Sequence, residues 1–460
     1  MYLWQQHADS AQVKHKIALR DYSQGEVFTW QQLAEKIDEV ARVLLQQGIR
    51  ASDGVALCGK NNLSLLCFYF GALQIGARVL GVNPAFPQEK IRQICADNDV
   101  KLCVILRSEN PVYIKYEKKR LHFKGQFKEQ SVTMTLTSGS TGMPKAVVHD
   151  IQAHLANAKG VCERLRFDAN HSWLLSLPLY HISGQGILWR WLLQGAELHL
   201  AGSDFYLSVA TATHVSLVPT QAQRFLSYVR ASGAMNVITR CILLGGAHIP
   251  TELTGQLKQL GIQSYSSYGM TEMASTVFAK ESDDKDGVGQ PLVGREYCLV
   301  NDEIWLRGDG VGLGYWQDGE IVPFVNSQGW FQTKDKGQWL NNELVVSGRL
   351  DNMFISGGEN IQPEEIERVI RQSEAVEQVF ILPVDDQEFG RRPVAMIKFK
   401  QAFSQSAVNK LQLWLSNKIE KFKQPIAYFP LHCEKLQPQG TIKVSRAALA
   451  AELTQLLGKY

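Results

Sequence analysis

At 460 residues the chain is longer than one hydrophobic core usually organises, so a large domain with at least one smaller companion is the starting expectation. Hydrophobic residues make up 45% and charged residues 20%, an ordinary globular balance, and no apolar run reaches the length that spans a bilayer. The formal charge of +3 is too small for this length to mark a nucleic-acid binder.

The opening MYLWQQHADSAQVKHK lacks an apolar stretch followed by a small-residue cleavage site, which points to a cytoplasmic protein. Residues 30 to 48, WQQLAEKIDEVARVLLQQG, carry apolar side chains at helical spacing and stop at a glycine. Short apolar runs then recur (VALCG, ARVLGV, KLCVIL, WLLSLPL, ELHLA, HVSLVP, CILLGG), several with helical patterns between them. That alternation predicts an α/β domain with a buried, largely parallel sheet. The basic stretch KYEKKRLHFKGQFK is short and interrupted by aromatics, and reads as a solvated loop or edge. Around residues 303 to 345 the pattern shifts to EIWLRG, WFQTKDKGQWL and ELVVSG, expected to be short antiparallel strands. Beyond SGRLDNMF a new unit begins: PEEIERVIRQ is a predicted helix with proline in its first turn, AVEQVFILPV and VAMIKFK are strands, and VNKLQLWLSNKI is an amphipathic helix. The expected division is 1–348 and 349–460. The eight cysteines (Cys58, Cys67, Cys95, Cys103, Cys162, Cys241, Cys298 and Cys433) form no CxxC pair and read as reduced thiols rather than disulfides or a zinc site.

The strongest chemical signal is the run from Thr135 to Lys145, TLTSGSTGMPK. Glycines allow backbone N–H groups to turn toward an anion, hydroxyls add donors, and lysine supplies a point charge, so Thr137, Ser138, Gly139, Ser140, Thr141, Gly142 and Lys145 read as a phosphate cradle. The GxxxxGK[ST] spacing of the nucleotide-hydrolase loop is absent.

TSGSTGMPK resembles the phosphate-binding signature of the adenylate-forming superfamily, which includes acyl-CoA synthetases, peptide-synthetase adenylation domains and luciferases. Four further segments resemble that family's motifs in order: YSSYGMTEMAS, GWFQTKDKG, SGRLDNMFISGGENIQPEEIE and the C-terminal QPQGTIKVSR. The resemblance implies a large N-terminal domain of α/β layers with a small β-barrel-like subdomain, and a smaller mobile α+β C-terminal domain. It implies ATP and CoA as co-substrates, Mg2+ as cofactor, and a carboxylic acid joined to CoA through an acyl-adenylate, with Tyr268, Gly269 and Met270 on the nucleotide side. In the same terms Glu272 matches the family's Mg2+-binding glutamate, Thr271 lies beside the α-phosphate, and Gly245 and Gly246 form a shelf for adenine. Asp335 matches the aspartate that accepts from the ribose hydroxyls, a task suited to a two-oxygen acceptor. The family more often has glycine where this chain has Lys334. Arg349 is expected on the ribose or phosphate side, Asp351 at the hinge, and Gly357 and Gly358 where pantetheine approaches, with Asn360 to Glu367 opening a helix. Lys443 resembles the C-terminal lysine that bridges carboxylate and α-phosphate; here Gly440 stands two residues further away than the family's usual glycine.

The acid is addressed by a different segment. In SLPLYHISGQGILWRW an arginine lies between two tryptophans on an apolar stretch, and burying a guanidinium unpaired is costly. Arg190 therefore either pairs with an internal acidic residue or binds an anion brought by the substrate. The chain also resembles the o-succinylbenzoate–CoA ligases of menaquinone synthesis in this segment, in HVSLVPTQ, LLGGAHIP and SGGENIQPEEIERVI. That resemblance implies a dicarboxylate whose second carboxyl Arg190 holds with Ser216 and Thr271, with His181 lining the acyl pocket as a gate or as a structural side chain. An aryl or medium-chain acyl-CoA synthetase would need no such cation, and an enzyme loading a carrier protein would usually carry an acidic residue for an α-amino group. A non-enzymatic binding module would have little reason to keep Lys145, Glu272, Asp335 and Lys443 together. The expected partners are small molecules, not nucleic acid or membrane, and the resemblance leaves room for a homodimer.

Overall fold

The computed structural model describes the chain apart from residues 107–110, 117–130, 138–143, 234–235, 357–358, 387–388, 417, 433–443 and 458–460, and apart from the side chain of residue 360. Contacts divide it into two compact units, Met1–Tyr297 with Arg307–Phe331, and Cys298–Leu306 with Gln332–Tyr460. The second unit thus takes in residues ahead of 348, because Phe331–Leu340 and Glu343–Arg349 pair with each other and belong to neither of the large sheets.

The first unit is built on a nine-stranded and an eight-stranded sheet. In the larger, Ile17–Asp21, Glu197–Leu200, Ser172–Leu174, His214–Leu217, Cys241–Leu244 and Gln263–Met270 run parallel in that spatial order, and Ser275–Glu281 closes antiparallel on the last. In the smaller, Gly54–Gly59 and Arg78–Val82 are parallel, while Val132–Thr137 turns back antiparallel into Lys145–Asp150. The predicted helix is present as Trp30–Gln46. Its start is fixed by a reciprocal cap: Thr29 Oγ1 accepts from the Gln32 N–H at 3.3 Å, and the Gln32 side chain accepts from the Thr29 N–H at 2.9 Å. Its buried residues, Trp30, Leu33, Ala34, Ile37, Ala41 and Leu44, recur every three or four positions, as a helix packed on one face requires.

The helix Ile182–Gln194 is different, being buried almost all round. Two glycines permit this. A Cβ at Gly184 would stand 2.1 Å from the Pro178 carbonyl oxygen, and one at Gly186 would stand 3.0 Å from an Arg190 Nη atom.

The second unit contains a four-stranded sheet (Arg295–Val300, Glu303–Gly308, Phe331–Leu340, Glu343–Arg349), most of whose residues fall in it. It also holds the hairpin Phe354–Ser356 with Glu359–Ile361 and the sheet Val376–Asp386, Gly390–Phe399, Tyr428–Pro430. Helices Pro363–Arg371 and Gln405–Leu415 pack their apolar faces on that sheet around Ile366, Ile370, Val379, Ile381, Ile397 and Leu411. One local expectation is corrected: Asn360 pairs with Ile355 in the hairpin, so the helix opens at Pro363 rather than at Asn360. Seven of the eight cysteines are described and none is in a disulfide; Cys433 lies outside the described residues, as does most of the basic stretch near 115–128. No described helix is long and apolar enough to cross a membrane.

Candidate active site

Three neighbouring parallel strands of the first unit end side by side, and their carboxyl ends carry predicted site residues. Ser216 lies in His214–Leu217, Gly245 and Gly246 follow Cys241–Leu244, and Tyr268 to Met270 end Gln263–Met270. Ligands of open α/β sheets bind outside the carboxyl ends of their strands. Gly246 adopts φ +83°, and a Cβ at Gly245 would approach Ser267 Oγ to 2.8 Å, so both positions call for glycine.

The chain then turns sharply. Thr271–Met273 is one turn of 3₁₀ helix, followed by Ala274 at φ +54° and Ser275 at φ +114°. Neither is glycine, and backbone held in that region concentrates at functional sites. A bulge at Tyr268/Gly269 precedes the turn, and a Cβ at Gly269 would stand 1.9 Å from the Ser275 carbonyl oxygen. Asn157 fixes the far side, donating from Nδ2 to the carbonyls of Met273 at 3.1 Å and Thr276 at 2.8 Å.

Glu272 on this turn is held through both its backbone and its side chain. Its carbonyl accepts from the Gly312 N–H at 2.8 Å, and its Oε1 accepts from the Tyr315 hydroxyl at 2.9 Å. The Lys145 ammonium lies over the Tyr315 ring, 5.1 Å from its centre. Thr137 and Lys145 are register partners at the mouth of the hairpin whose connecting residues 138–143 lie outside the described residues, and Thr137 Oγ1 donates to the Lys145 carbonyl at 3.3 Å. Beneath the turn His149 is fully enclosed, and burial drives its pKa down to about 4, with hydrogen bonding to the Thr271 backbone opposing only in part. His154, 5.1 Å away ring to ring, is pushed well below its ordinary value by burial and by His149, its Nε2 bonded to Thr133 Oγ1 at 2.7 Å.

Arg190 is 1% exposed. Among the described residues no carboxylate pairs with it, its Nε has no hydrogen-bond partner, and its guanidinium makes one hydrogen bond, a long 3.4 Å contact from Nη2 to Thr276 Oγ1. The guanidinium stacks against Trp173 at 5.1 Å, and burial lowers its pKa to about 10, which leaves it charged at neutral pH. The fold thus brings Arg190 against Thr276, shortly after the Glu272 turn. Ser216 is buried nearby on the same sheet, its Oγ accepting from Trp173 Nε1 at 3.3 Å. His181 occupies the N-cap position of the Arg190 helix without a side-chain capping bond and packs on Tyr180, 4.7 Å between ring centres.

The second unit gathers another set. Asp335, 8% exposed, stands opposite Arg349 in the antiparallel pair and receives its Nη1 at 3.1 Å. Arg349 also forks onto Asp351 with two bonds of 3.0 Å, which raise the arginine above its ordinary pKa and lower the aspartate. Lys334 does adopt a glycine-like φ of +59°, steadied by its N–H donating to Glu303 Oε1 at 2.8 Å. Ser138 to Gly142, Gly357, Gly358 and Lys443 lie outside the described residues. Tyr315, Asn157 and Trp173 were not singled out in the sequence; the only available signal was the glycine-rich GDGVGLGYW leading into Tyr315.

These features define an adenylate-forming enzyme, and the chain belongs to that family: residues 5–316 match the model described as AMP-binding enzyme. It is 56% identical, over 98% of its length and 98% of the relative's, to a 2-succinylbenzoate–CoA ligase of Haemophilus influenzae. Among solved structures it resembles an arginine-to-lysine variant of Escherichia coli MenE with bound OSB-AMS, at 40% identity, TM-score 0.85 and 98% coverage of both chains. It also shares the fold of the Bacillus subtilis o-succinylbenzoate coenzyme A synthetase in complex with ATP and magnesium ion, at 22% identity, TM-score 0.79 and coverage of 93% and 95%.

Proposed function

We propose that this enzyme is a 2-succinylbenzoate–CoA ligase of menaquinone synthesis, which activates the acid with ATP, releases pyrophosphate and transfers the acyl group to CoA. The observation that carries the reading is Arg190, a buried guanidinium with no carboxylate beside it among the described residues. A second carboxylate on the substrate would supply the missing anion, and charge-assisted pairing in a dry site is strong enough to select it. Aryl or medium-chain acids without that group leave the cation uncompensated. The relative from Haemophilus influenzae, named for this activity, supports the same choice.

The remaining roles are those that the family resemblance implies. Lys145 and the hydroxyl-rich loop before it take the phosphates, Thr271 donates beside the α-phosphate, and the Gly245–Gly246 ledge accepts adenine. Tyr268, Gly269 and Met270 shape the approach to the nucleotide. Asp335 and Arg349 take the ribose side, Asp351 serves as hinge, and Gly357 and Gly358 admit pantetheine. Lys443 stabilises negative charge as carboxylate oxygen attacks the α-phosphorus. Ser216 and His181 line the acid's pocket. Glu272 would hold Mg2+: a single carboxylate oriented by a neutral hydroxyl suits an ion that keeps waters and substrate phosphates as its other ligands. Bound there, the ion offsets charge on the triphosphate. The setting is taken as cytoplasmic.

Pyrophosphate release from ATP and Mg2+, with and without CoA, separates the readings when 2-succinylbenzoate is compared with benzoate, 4-phenylbutyrate and octanoate in the parent and in Arg190→Ala. Turnover confined to 2-succinylbenzoate, dependent on CoA for thioester, and lost in the variant is the expected result. Equal turnover of octanoate together with an indifferent variant would sink the assignment of the acid and leave adenylation standing.

A further inference from the structure

We infer that Tyr315 is a positioning residue for adenylation, orienting the Glu272 carboxylate toward the divalent cation; this rests on the reading of Glu272 given above. Tyr315 lies 43 residues away in sequence, on Gly314–Gln317, which pairs antiparallel with Lys145–Asp150. Its register partner is Val147, two positions along the strand from Lys145. A single short segment therefore touches both candidate phosphate-side groups: the phenol donates to Glu272 Oε1 at 2.9 Å, and the ring face lies beneath the Lys145 ammonium.

The segment is itself anchored at several points. The Gly312 N–H donates to the Glu272 carbonyl and the Leu313 N–H to the Val148 carbonyl, both at 2.8 Å. Gly312 and Gly314 permit this closeness, since a Cβ at Gly312 would stand 3.1 Å from His149 Nε2 and one at Gly314 2.3 Å from the Val322 carbonyl oxygen. Trp316, the next residue, is buried, with Nε1 bonded to Asp99 at 3.2 Å and its ring 3.9 Å from the Arg78 guanidinium. Tyr315 is thus fixed before it reaches Glu272.

The choice of phenol matters chemically. A lysine or arginine at that distance would neutralise the carboxylate and compete with a cation. A neutral O–H fixes the rotamer, stabilises the ionised form and leaves the negative charge and further lone pairs for a metal. Groups that orient a metal ligand in this way commonly govern affinity by about tenfold or more.

The test compares Tyr315→Phe, which keeps the ring under Lys145 and removes only the hydroxyl, with Glu272→Gln. Two readouts are taken across a Mg2+ titration at fixed ATP: the concentration giving half-maximal pyrophosphate release, and the concentration giving half of the ATP-induced rise in melting temperature, which requires no turnover. The expected result is a shift of about tenfold to higher Mg2+ in both readouts for Tyr315→Phe. Added Mg2+ should recover the rate, and the ligand-free melting temperature should stay near that of the parent. If Glu272→Gln shifts both readouts and Tyr315→Phe shifts neither, the positioning role is overturned and the reading of Glu272 survives. If neither variant responds, the cation-binding reading falls and takes the proposal with it.

Discussion

In the first unit Arg190 is sealed from solvent with a bare Nε and no carboxylate partner among the described residues. In the second unit Glu367 is equally buried, at 2% exposure, but it accepts from the Ile381 N–H at 2.9 Å, from Arg371 at 3.0 Å and from Arg446 at 2.6 Å. A buried charge without a counter-charge costs free energy, whereas a closed network returns most of that cost. The contrast sets a guanidinium buried without an acidic partner among the described residues against a satisfied ion network, and it can be tested at four places.

The largest effect is expected at Arg190. Arg190→Met removes the cation and keeps an apolar chain of similar length, so kcat/KM for 2-succinylbenzoate should fall by about a thousandfold, roughly 4 kcal/mol of lost transition-state binding. The melting temperature should hold or rise, because replacing an unpaired buried charge with a hydrophobic side chain relieves desolvation. A variant that loses stability and activity together would mean that Arg190 belongs to the fold. Arg446→Ala should do the reverse. It strips a cation from buried Glu367 and from Glu364, and should lower the unfolding free energy by about 3 kcal/mol in a denaturant titration. An unchanged midpoint there would erase the contrast between the units.

The third prediction concerns His149. Its folded pKa, about 4, lies below its ordinary value of 6.5, so the unfolded chain binds a proton that the native protein refuses. Stability from this group is complete above pH 6.5 and is lost as pH falls toward 4, about 2 kcal/mol of it by pH 5. His149→Gln cannot titrate, and the loss between pH 7.5 and pH 5 should be smaller by that amount in urea unfolding. His154 and His214, also lowered chiefly by burial, add slope of the same sign.

How much of this could be read in advance depends on the distance over which each feature is made. TSGSTGMPK and YGMTE announce themselves because glycine, hydroxyl and charge are clustered within one turn of chain, and Arg190 was conspicuous because a guanidinium between two tryptophans conflicts with its neighbours. That Arg190 has no acidic partner among the described residues could not be read, since any of the 45 acidic residues could have folded against it. The Tyr315–Glu272 bond was illegible for the same reason: it depends on an antiparallel pairing between Gly314–Gln317 and Lys145–Asp150 that no local pattern encodes. His149 reads as one polar residue near the end of an apolar strand, and only the sheet and helix packed around it reveal that it is fully buried. The helix begins at Pro363, where PEEIERVIRQ places it, and not at Asn360, which the short hairpin Phe354–Ser356/Glu359–Ile361 takes as the partner of Ile355.

Arg349 gives the smallest effect and the sharpest limit on the comparison, because it is saturated yet exposed. Its side chain keeps 43% of its surface in water while Asp335 keeps 11% and Asp351 28%. Solvent screening reduces an ion pair of this kind, so Arg349→Ala should cost about 1 kcal/mol by calorimetry, well below the cost at Arg446. The sign of its pH dependence is fixed by Asp351, which the fork from Arg349 holds below the usual carboxylate value. The stabilisation is therefore present above the unfolded carboxylate pKa and lost as pH falls through the lower folded value. The gap between parent and variant should narrow below about pH 4. Arg349→Lys keeps the charge but cannot fork onto Asp351 through two N–H groups, and should recover less than half of the difference. Full recovery by lysine would show that charge alone, and not the geometry of the fork, joins Asp335 to Asp351.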